Sequence, residues 1–96
     1  MGHSPPIAQI GLPEGMTVKA VILSARPRIT ALLYFDSLTN SQLQTGNVYR
    51  GCDRIHAEYG MTIKLDDLRA QVKKRWPEAT IYRVPRIGSG ALKAWQ

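Results

Sequence analysis

Two neighbouring segments in the first half of the chain are rich in apolar and β-branched residues. Residues 17–24 read TVKAVILS and residues 29–35 read ITALLYF, a composition that predicts two strands. Pro27 lies between them and cannot donate a hydrogen bond to a β-ladder. The pattern therefore predicts a hairpin with its bend at residues 25–28 and not one continuous strand.

The second predicted strand is apolar on both faces. Every odd-numbered position from 29 to 35 is apolar, and the other face carries Leu32 and Tyr34 with Thr30 as its polar residue. This pattern is typical of strands covered on both sides. Helices of this chain can cover one face. We expect the other to be covered by the N-terminal segment, the C-terminal tail or another molecule, which indicates a homo-oligomer or a partner protein.

Two main helices are predicted after the hairpin. The first is marked by apolar residues at spacings of four, three and four, which share one helical stripe: Val48, Cys52, Ile55 and Tyr59. Asn47 is its expected N-cap and Gly60 its expected C-terminal stop. Residues 38–44 are predicted to form a separate short helical or irregular piece, with a break at residues 45–47.

The second helix has its own apolar stripe, formed by Leu65, Leu68, Val72 and Trp76. Two aspartates in its first turn and three basic residues in its last turn complement the helix dipole, and Pro77 prevents its continuation. Residues 79–84 predict a strand, and residues 61–65 predict either a short strand or the start of the helix. Residues 61–84 therefore fit a crossover of strand, helix and strand.

These elements predict a single small α+β domain that spans residues 1–96. Its expected architecture is a mixed or antiparallel sheet of three or four strands with two main helices packed on one face. Residues 7–10 fit a short edge strand. Residues 1–11 and 88–96 are predicted to be loose tails, the second of which carries Leu92 and Trp95 as residues able to clasp the core.

Several features bear on the location of the protein. No apolar run approaches the roughly 20 residues needed to cross a bilayer, so no membrane contact is expected. The N-terminus lacks the basic and apolar regions of a secretory signal. Cys52 is the single cysteine, which excludes an intrachain disulfide. We therefore expect a cytoplasmic protein.

Positive charge is concentrated in the last third of the chain. The 13 basic and 7 acidic residues give a net charge of +6. Residues 64–96 contain eight of the basic residues and three of the acidic ones, whereas residues 1–63 contain five and four. A field of this kind attracts polyanions.

The leading functional hypothesis is therefore a non-enzymatic, accessory or regulatory protein that binds the phosphates of DNA or RNA. Cationic side chains along a surface neutralise phosphates and release their counterions. The residues expected to do so are Arg26, Arg28, Lys73, Lys74, Arg75, Arg83 and Arg86. The alternative for the run from Lys73 to Arg75 is that it only stabilises the C-terminus of its own helix.

A helix-turn-helix is a further alternative within residues 38–60. It would direct Tyr49, Arg50, Asp53 and Arg54 into the major groove. However, the first helix would be too short, and polar residues flank the turn glycine where apolar packing is needed. A plain amphipathic helix that covers a sheet is the preferred interpretation.

Catalytic and metal-binding patterns are weak. Cys52 and His56 are four residues apart, which can present two metal ligands, but a closed zinc site needs four. Asp66 and Asp67 are sequential and point about 100° apart on a helix, so they do not form an acid/base pair. No glycine-rich loop has the spacing that cradles phosphates. We therefore expect no enzyme activity, no cofactor and no metal.

The second functional hypothesis is a small protein-interaction module or inhibitor, of the kind encoded by phages and plasmids. Its support is the hairpin with two apolar faces and the tail that carries Leu92 and Trp95. Its basic residues would then meet an acidic or nucleoprotein partner.

Overall fold

The computed structural model describes residues 3–48, 53–85 and 90–96, which form a five-stranded mixed sheet. Its strands are β1 (Ala20–Ser24), β2 (Ile29–Tyr34), β3 (Arg54–Gly60), β4 (Thr80–Arg83) and β5 (Lys93–Ala94). Its helices are a 3-10 helix (Ile7–Gln9), α1 (Asn40–Thr45) and α2 (Leu65–Arg75). The predicted α+β class is confirmed, although the sheet has five strands and the described residues contain one long helix.

The strand order is β3-β2-β1-β4-β5. The pair β1 and β4 is parallel, with Val21 opposite Ile81, and the other pairs are antiparallel. The chain therefore leaves β3 at one edge, crosses over through α2 and enters β4 on the far side of β1. The predicted strand, helix and strand crossover is present, but β3 supplies its first strand, since residues 61–64 form a turn.

One face of the sheet packs against α2, and the side chains at this interface are fully buried. Leu68 and Val72 of α2 contact a cluster that includes Leu23 and Leu33. Complete burial of an aliphatic side chain contributes about 1.5–3 kcal/mol. The predicted amphipathic helix is therefore α2 (Leu65–Arg75), with Trp76 as its C-cap before Pro77.

The opposite face is covered in part by the segment that follows β2. Leu38 and Val48 are buried against Leu32 and Tyr34, and the Tyr34 hydroxyl donates a hydrogen bond of 3.0 Å to the carbonyl oxygen of Val48. The predicted short helical piece is α1. It begins with a capping box, in which the Thr39 hydroxyl accepts a hydrogen bond from the Gln42 amide.

The prediction of a helix over residues 48–59 is wrong for its described part. Residues 54–60 form β3. Gly60, the predicted helix stop, is instead the last residue of this strand and has a φ of 59°. Ile55, Ala57 and Tyr59 lie on the α2 side of the sheet, so their true period is two. Residues 49–52, which include Cys52, lie outside the described residues. The helix-turn-helix alternative is excluded with that helix.

The N-terminal segment is docked, in contrast to the predicted loose tail. Ile7, the first residue of the 3-10 helix, and Ile10, its C-cap, are buried in the core. This helix packs on α2. The Ser4 amide donates to the carbonyl oxygen of Glu58, and the Glu58 amide donates to the Ser4 hydroxyl, both at 2.9 Å. Residues 7–10 are therefore not an edge strand; the segment around Ser4 covers the edge of β3.

The C-terminal segment also packs on the sheet where it is described. Residues 93–94 form β5, and the Trp95 amide donates to the carbonyl oxygen of Ile81 at 2.8 Å. Leu92 and Trp95 both pack against buried core residues, as predicted, and they do so on opposite faces of the sheet. In the described residues, no helix has the length and apolar character that a membrane span needs.

Candidate functional site

The sheet face opposite α2 is open at the end nearest the β1–β2 hairpin and forms a groove of about 600 Å³. Its floor is apolar, because Ile22 and Leu32 project from β1 and β2. Its far wall is made by Val48 and Leu92 from the segments that cover the rest of this face. We call this surface the hairpin groove.

Charged side chains surround the hairpin groove. Among the described residues, the groove is lined by the guanidinium groups of Arg26, Arg28 and Arg54, by the imidazole of His56 and by the carboxylate of Glu58. Alternation along β3 explains their placement, since residues 54, 56 and 58 face the groove while residues 55, 57 and 59 face α2. The groove therefore has an apolar floor and a basic rim.

Glu58 is central to the electrostatics of the groove. Its carboxylate lies 3.6 Å from Nη1 of Arg28 and 3.9 Å from Nε2 of His56. The side chains of Arg28 and Glu58 are 59% and 40% exposed, so water screens this pair and its net contribution to stability is small. Arg28 is thus only partly neutralised and keeps its access to a ligand.

Arg26 lies at the tip of the hairpin and is exposed. The Ser24 hydroxyl donates a hydrogen bond of 3.1 Å to its carbonyl oxygen, and its peptide bond to Pro27 is cis. Among the described residues, Arg26 has no carboxylate partner. Its guanidinium is therefore available to an anionic ligand.

A second cavity, of about 310 Å³, adjoins the hairpin groove. It lies at the carboxyl ends of the parallel pair β1 and β4, and its lining includes Arg26 and Arg83. We call it the strand-end cleft. Ligands of open α/β sheets bind outside the carboxyl ends of their strands. Arg26, Ser24 and Val84 line both cavities, so the hairpin groove and the strand-end cleft form one continuous surface.

The structure brings together only part of the residue set predicted from the sequence. Arg26, Arg28 and Arg83 lie on the combined surface, whereas Lys73 and Lys74 do not line it. Leu65, at the start of α2, lines the strand-end cleft, and a helix rises about 1.5 Å per residue. The two lysines are therefore about 12 Å or more farther along the helix, towards its other end.

Arg75 has a structural role at that end of α2. Its guanidinium carbon lies 4.7 Å from the ring centroid of Trp76, and Nη1 donates a hydrogen bond to the carbonyl oxygen of Ile7. These contacts fix the 3-10 helix against α2. Arg86 lies outside the described residues, so its place in the predicted set stays a prediction.

Arg54 and His56 belong to the groove but were not predicted as part of one binding surface. The sequence does contain the signal, because polar residues 54, 56 and 58 alternate with apolar residues 55, 57 and 59. The four-three-four spacing from Val48 to Tyr59 competed with that alternation and favoured a helix.

The arrangement is suited to electrostatic binding. Among the described residues, no group of three His, Cys, Asp or Glu side chains is placed to hold a metal ion. Guanidinium groups around an apolar floor can bind phosphates while the floor accepts a less polar part of the ligand. Comparison of the chain with protein-family models, with curated proteins and with solved structures finds no match.

Proposed function

We propose that this protein is a non-enzymatic nucleic-acid-binding protein of accessory or regulatory type. The observation that carries the proposal is the position of Arg26, which lines both cavities and joins Arg28 on one side to Arg83 on the other. Phosphates of a nucleic-acid backbone are regularly spaced anions, and a continuous cationic surface matches them.

The net charge of +6 supports the same function. It attracts polyanions over long range and accelerates their encounter with the protein. Lys73 and Lys74 are exposed at the C-terminal end of α2, where they complement the helix dipole and add to this general field. We assign direct phosphate contact to Arg26, Arg28 and Arg83. A cytoplasmic location stays a prediction.

The structure gives less support to a protein-docking module. That hypothesis depended on an uncovered apolar face at Leu32 and Tyr34, and both side chains are buried by residues of the same chain. Leu92 and Trp95 are likewise packed on the sheet. The nucleic-acid function is therefore preferred.

Salt-dependent binding tests the proposal. The triple variant Arg26→Gln, Arg28→Gln, Arg83→Gln is compared with wild type for binding to a labelled single strand and a labelled duplex over a range of salt concentrations. Each phosphate contact contributes roughly 0.7–0.9 to the slope of log affinity against log salt concentration. We expect the triple variant to bind more weakly at every salt concentration and to have a slope smaller by about two to three.

The matched control is the triple variant Lys19→Gln, Lys73→Gln, Lys74→Gln. It removes the same charge from exposed positions that line neither cavity. We expect this control to change the slope by less than the first variant does. Equal effects of the two triple variants would show that only net charge matters, and a wild-type protein with no affinity for either probe would refute the function.

A further inference from the structure

Trp95 lies at the centre of a group of cations on the α2 side of the sheet. The guanidinium carbon of Arg69, from α2, is 5.2 Å from its ring centroid, and that of Arg83, from β4, is 4.9 Å from it. Cation–π contacts of this kind are attractive, because the positive charge meets the negative face of the ring. They also hold two positive charges beside the same indole.

A third cation joins this group through the register of the sheet. Arg83 of β4 is directly opposite Lys93 of β5 in the antiparallel pair, so the two side chains project from the same face. Like charges at directly opposed positions destabilise a strand pair. The pairing of β5 with β4 therefore includes an electrostatic repulsion between Lys93 and Arg83.

Among the residues that the structure describes, no carboxylate lies within ion-pair distance of Arg69, Arg83 or Lys93. In addition, Nε of Arg69 is buried and has no hydrogen-bond partner in the described part of the chain. A buried donor without a partner costs free energy, more so when the group is charged. Three neighbouring cations and one unsatisfied donor are features expected around a bound anion.

We propose that Arg69, Arg83 and Lys93 form a phosphate-binding site next to Trp95. The planar guanidinium groups can each donate two parallel hydrogen bonds to phosphate oxygens, and the ammonium group adds a point charge. The ligand class is a phosphate oxyanion, either free or within a nucleic-acid backbone. We call this the Trp95 site.

The Trp95 site goes beyond the function proposed for the hairpin groove. It shares Arg83 with the strand-end cleft, but it includes two cations, Arg69 and Lys93, that line neither cavity. It lies on the α2 face, whereas the groove lies on the opposite face. Arg83 is common to both surfaces, so variants of Arg69 and Lys93, which line neither cavity, test the Trp95 site separately from the proposed function.

The two tryptophans allow a test with an internal control. Trp76 and Trp95 are the two tryptophans of the chain, and each lies beside arginine. Trp76 follows the last turn of α2, and among the described residues the cation over its ring is Arg75. In ¹⁵N-labelled wild-type protein, the two indole N–H signals are assigned by comparison with Trp95→Phe. Inorganic phosphate, a short single-stranded oligothymidylate, and chloride at matched ionic strength are then titrated in separate samples.

We expect phosphate or the oligonucleotide to shift the Trp95 indole signal in a saturable way while the Trp76 signal stays in place. A response to inorganic phosphate supports the site with a free anion as ligand, and a response to the oligonucleotide alone supports it with a backbone phosphate as ligand. Arg69→Gln and Lys93→Gln should each weaken the response by about tenfold. Lys74→Gln, which removes an exposed cation from the last turn of α2, should change it less than twofold.

Absence of a Trp95 shift with both phosphate probes would overturn the inference, as would an equal shift with chloride. Oligonucleotide binding that shifts signals of the hairpin groove and leaves Trp95 unmoved would overturn the Trp95 site and retain the proposed function. A Trp95 response to inorganic phosphate, with no affinity for nucleic acid, would support the site and refute the proposed function.

Discussion

Glu58 and Arg28 form an ion pair at the rim of the hairpin groove, with the carboxylate oxygen 3.6 Å from the guanidinium nitrogen. This places a negative charge inside a surface proposed to bind phosphates. Glu58→Gln should therefore raise the affinity for nucleic acid by about twofold to fivefold, the range expected for one screened charge. The measurement is equilibrium binding at about 0.1 M salt.

Glu78→Gln is the control for Glu58→Gln, because Glu78 is an exposed carboxylate that lines neither cavity. It raises the net charge by the same amount and should change the affinity less. If Glu58→Gln weakened binding, the carboxylate would be holding Arg28 and His56 in place for the ligand, and the repulsive role given to it here would be wrong.

Because the N-terminal segment is docked on α2, we expect its buried residues to contribute to the free energy of unfolding. Ile7 is fully buried against α2, so Ile7→Ala should lower the free energy of unfolding by about 2–5 kcal/mol. Gln9→Ala is the matched control, since Gln9 is exposed in the same 3-10 helix. Urea denaturation measures both. A loss below about 0.5 kcal/mol for Ile7→Ala would show that the segment is loose in solution.

Tyr59 contacts the same N-terminal segment and makes the stability of the protein depend on pH. Its hydroxyl donates a hydrogen bond of 2.7 Å to the carbonyl oxygen of Pro5, and burial raises its pKa above the ordinary value near 10. When a group has a higher pKa in the folded than in the unfolded protein, its contribution to stability is fully present at pH values below the unfolded-state pKa. That contribution is lost as the pH rises through the folded-state pKa.

Tyr59→Phe should therefore be less stable than wild type by about 1 kcal/mol at neutral pH. The difference between the two proteins should stay constant below pH ~9 and shrink above pH ~10, because there the unfolded wild-type tyrosine ionises first. Urea denaturation at a series of pH values measures this difference. A difference that grows with alkaline pH would contradict the assigned direction of the pKa shift.

Gly46 is required where α1 ends. Its φ is 71°, a left-handed conformation that side chains rarely adopt, and a Cβ atom there would collide with the carbonyl oxygen of Gly90. Gly46→Ala should cost about 1–3 kcal/mol from the backbone conformation alone, with the collision adding to it. Thermal unfolding measures the effect. Gly11→Ala is the control, since its Cβ would meet no atom within 4 Å, and it should change stability little.

Most elements of the fold could be predicted because their signals are local. Pro27 between two β-rich segments indicated the β1–β2 hairpin, and the stripe from Leu65 to Trp76 indicated α2 with its stop at Pro77. β3 could not be identified in this way, because residues 48–59 fit a helical spacing while residues 54–59 also fit a strand alternation. Tertiary pairing with β2, which no local pattern encodes, decides in favour of the strand.

The candidate site was predictable to a smaller extent. Concentrated charge and the position of the hairpin indicated Arg26, Arg28 and Arg83, all of which line the combined surface. Arg54 and His56 depended on the assignment of β3. Arg69 and Lys93 depended on the pairing of β5 with β4, a contact that places a presumed loose tail beside α2. The proximity of side chains from separate elements can be recognised only once the topology is known.

The parallel pairing of β1 with β4 joins Ala20 to Thr80, far apart along the chain. During synthesis, β1, β2 and β3 emerge first and can form an antiparallel meander. The backbone groups of β1 that later pair with β4 stay unpaired until the crossover is complete. Such long-range pairing is slow and leaves a strand edge open to other chains. Translation that stops after Gly60 would therefore release an aggregation-prone fragment, and completion of β4 is the event that closes the central strand.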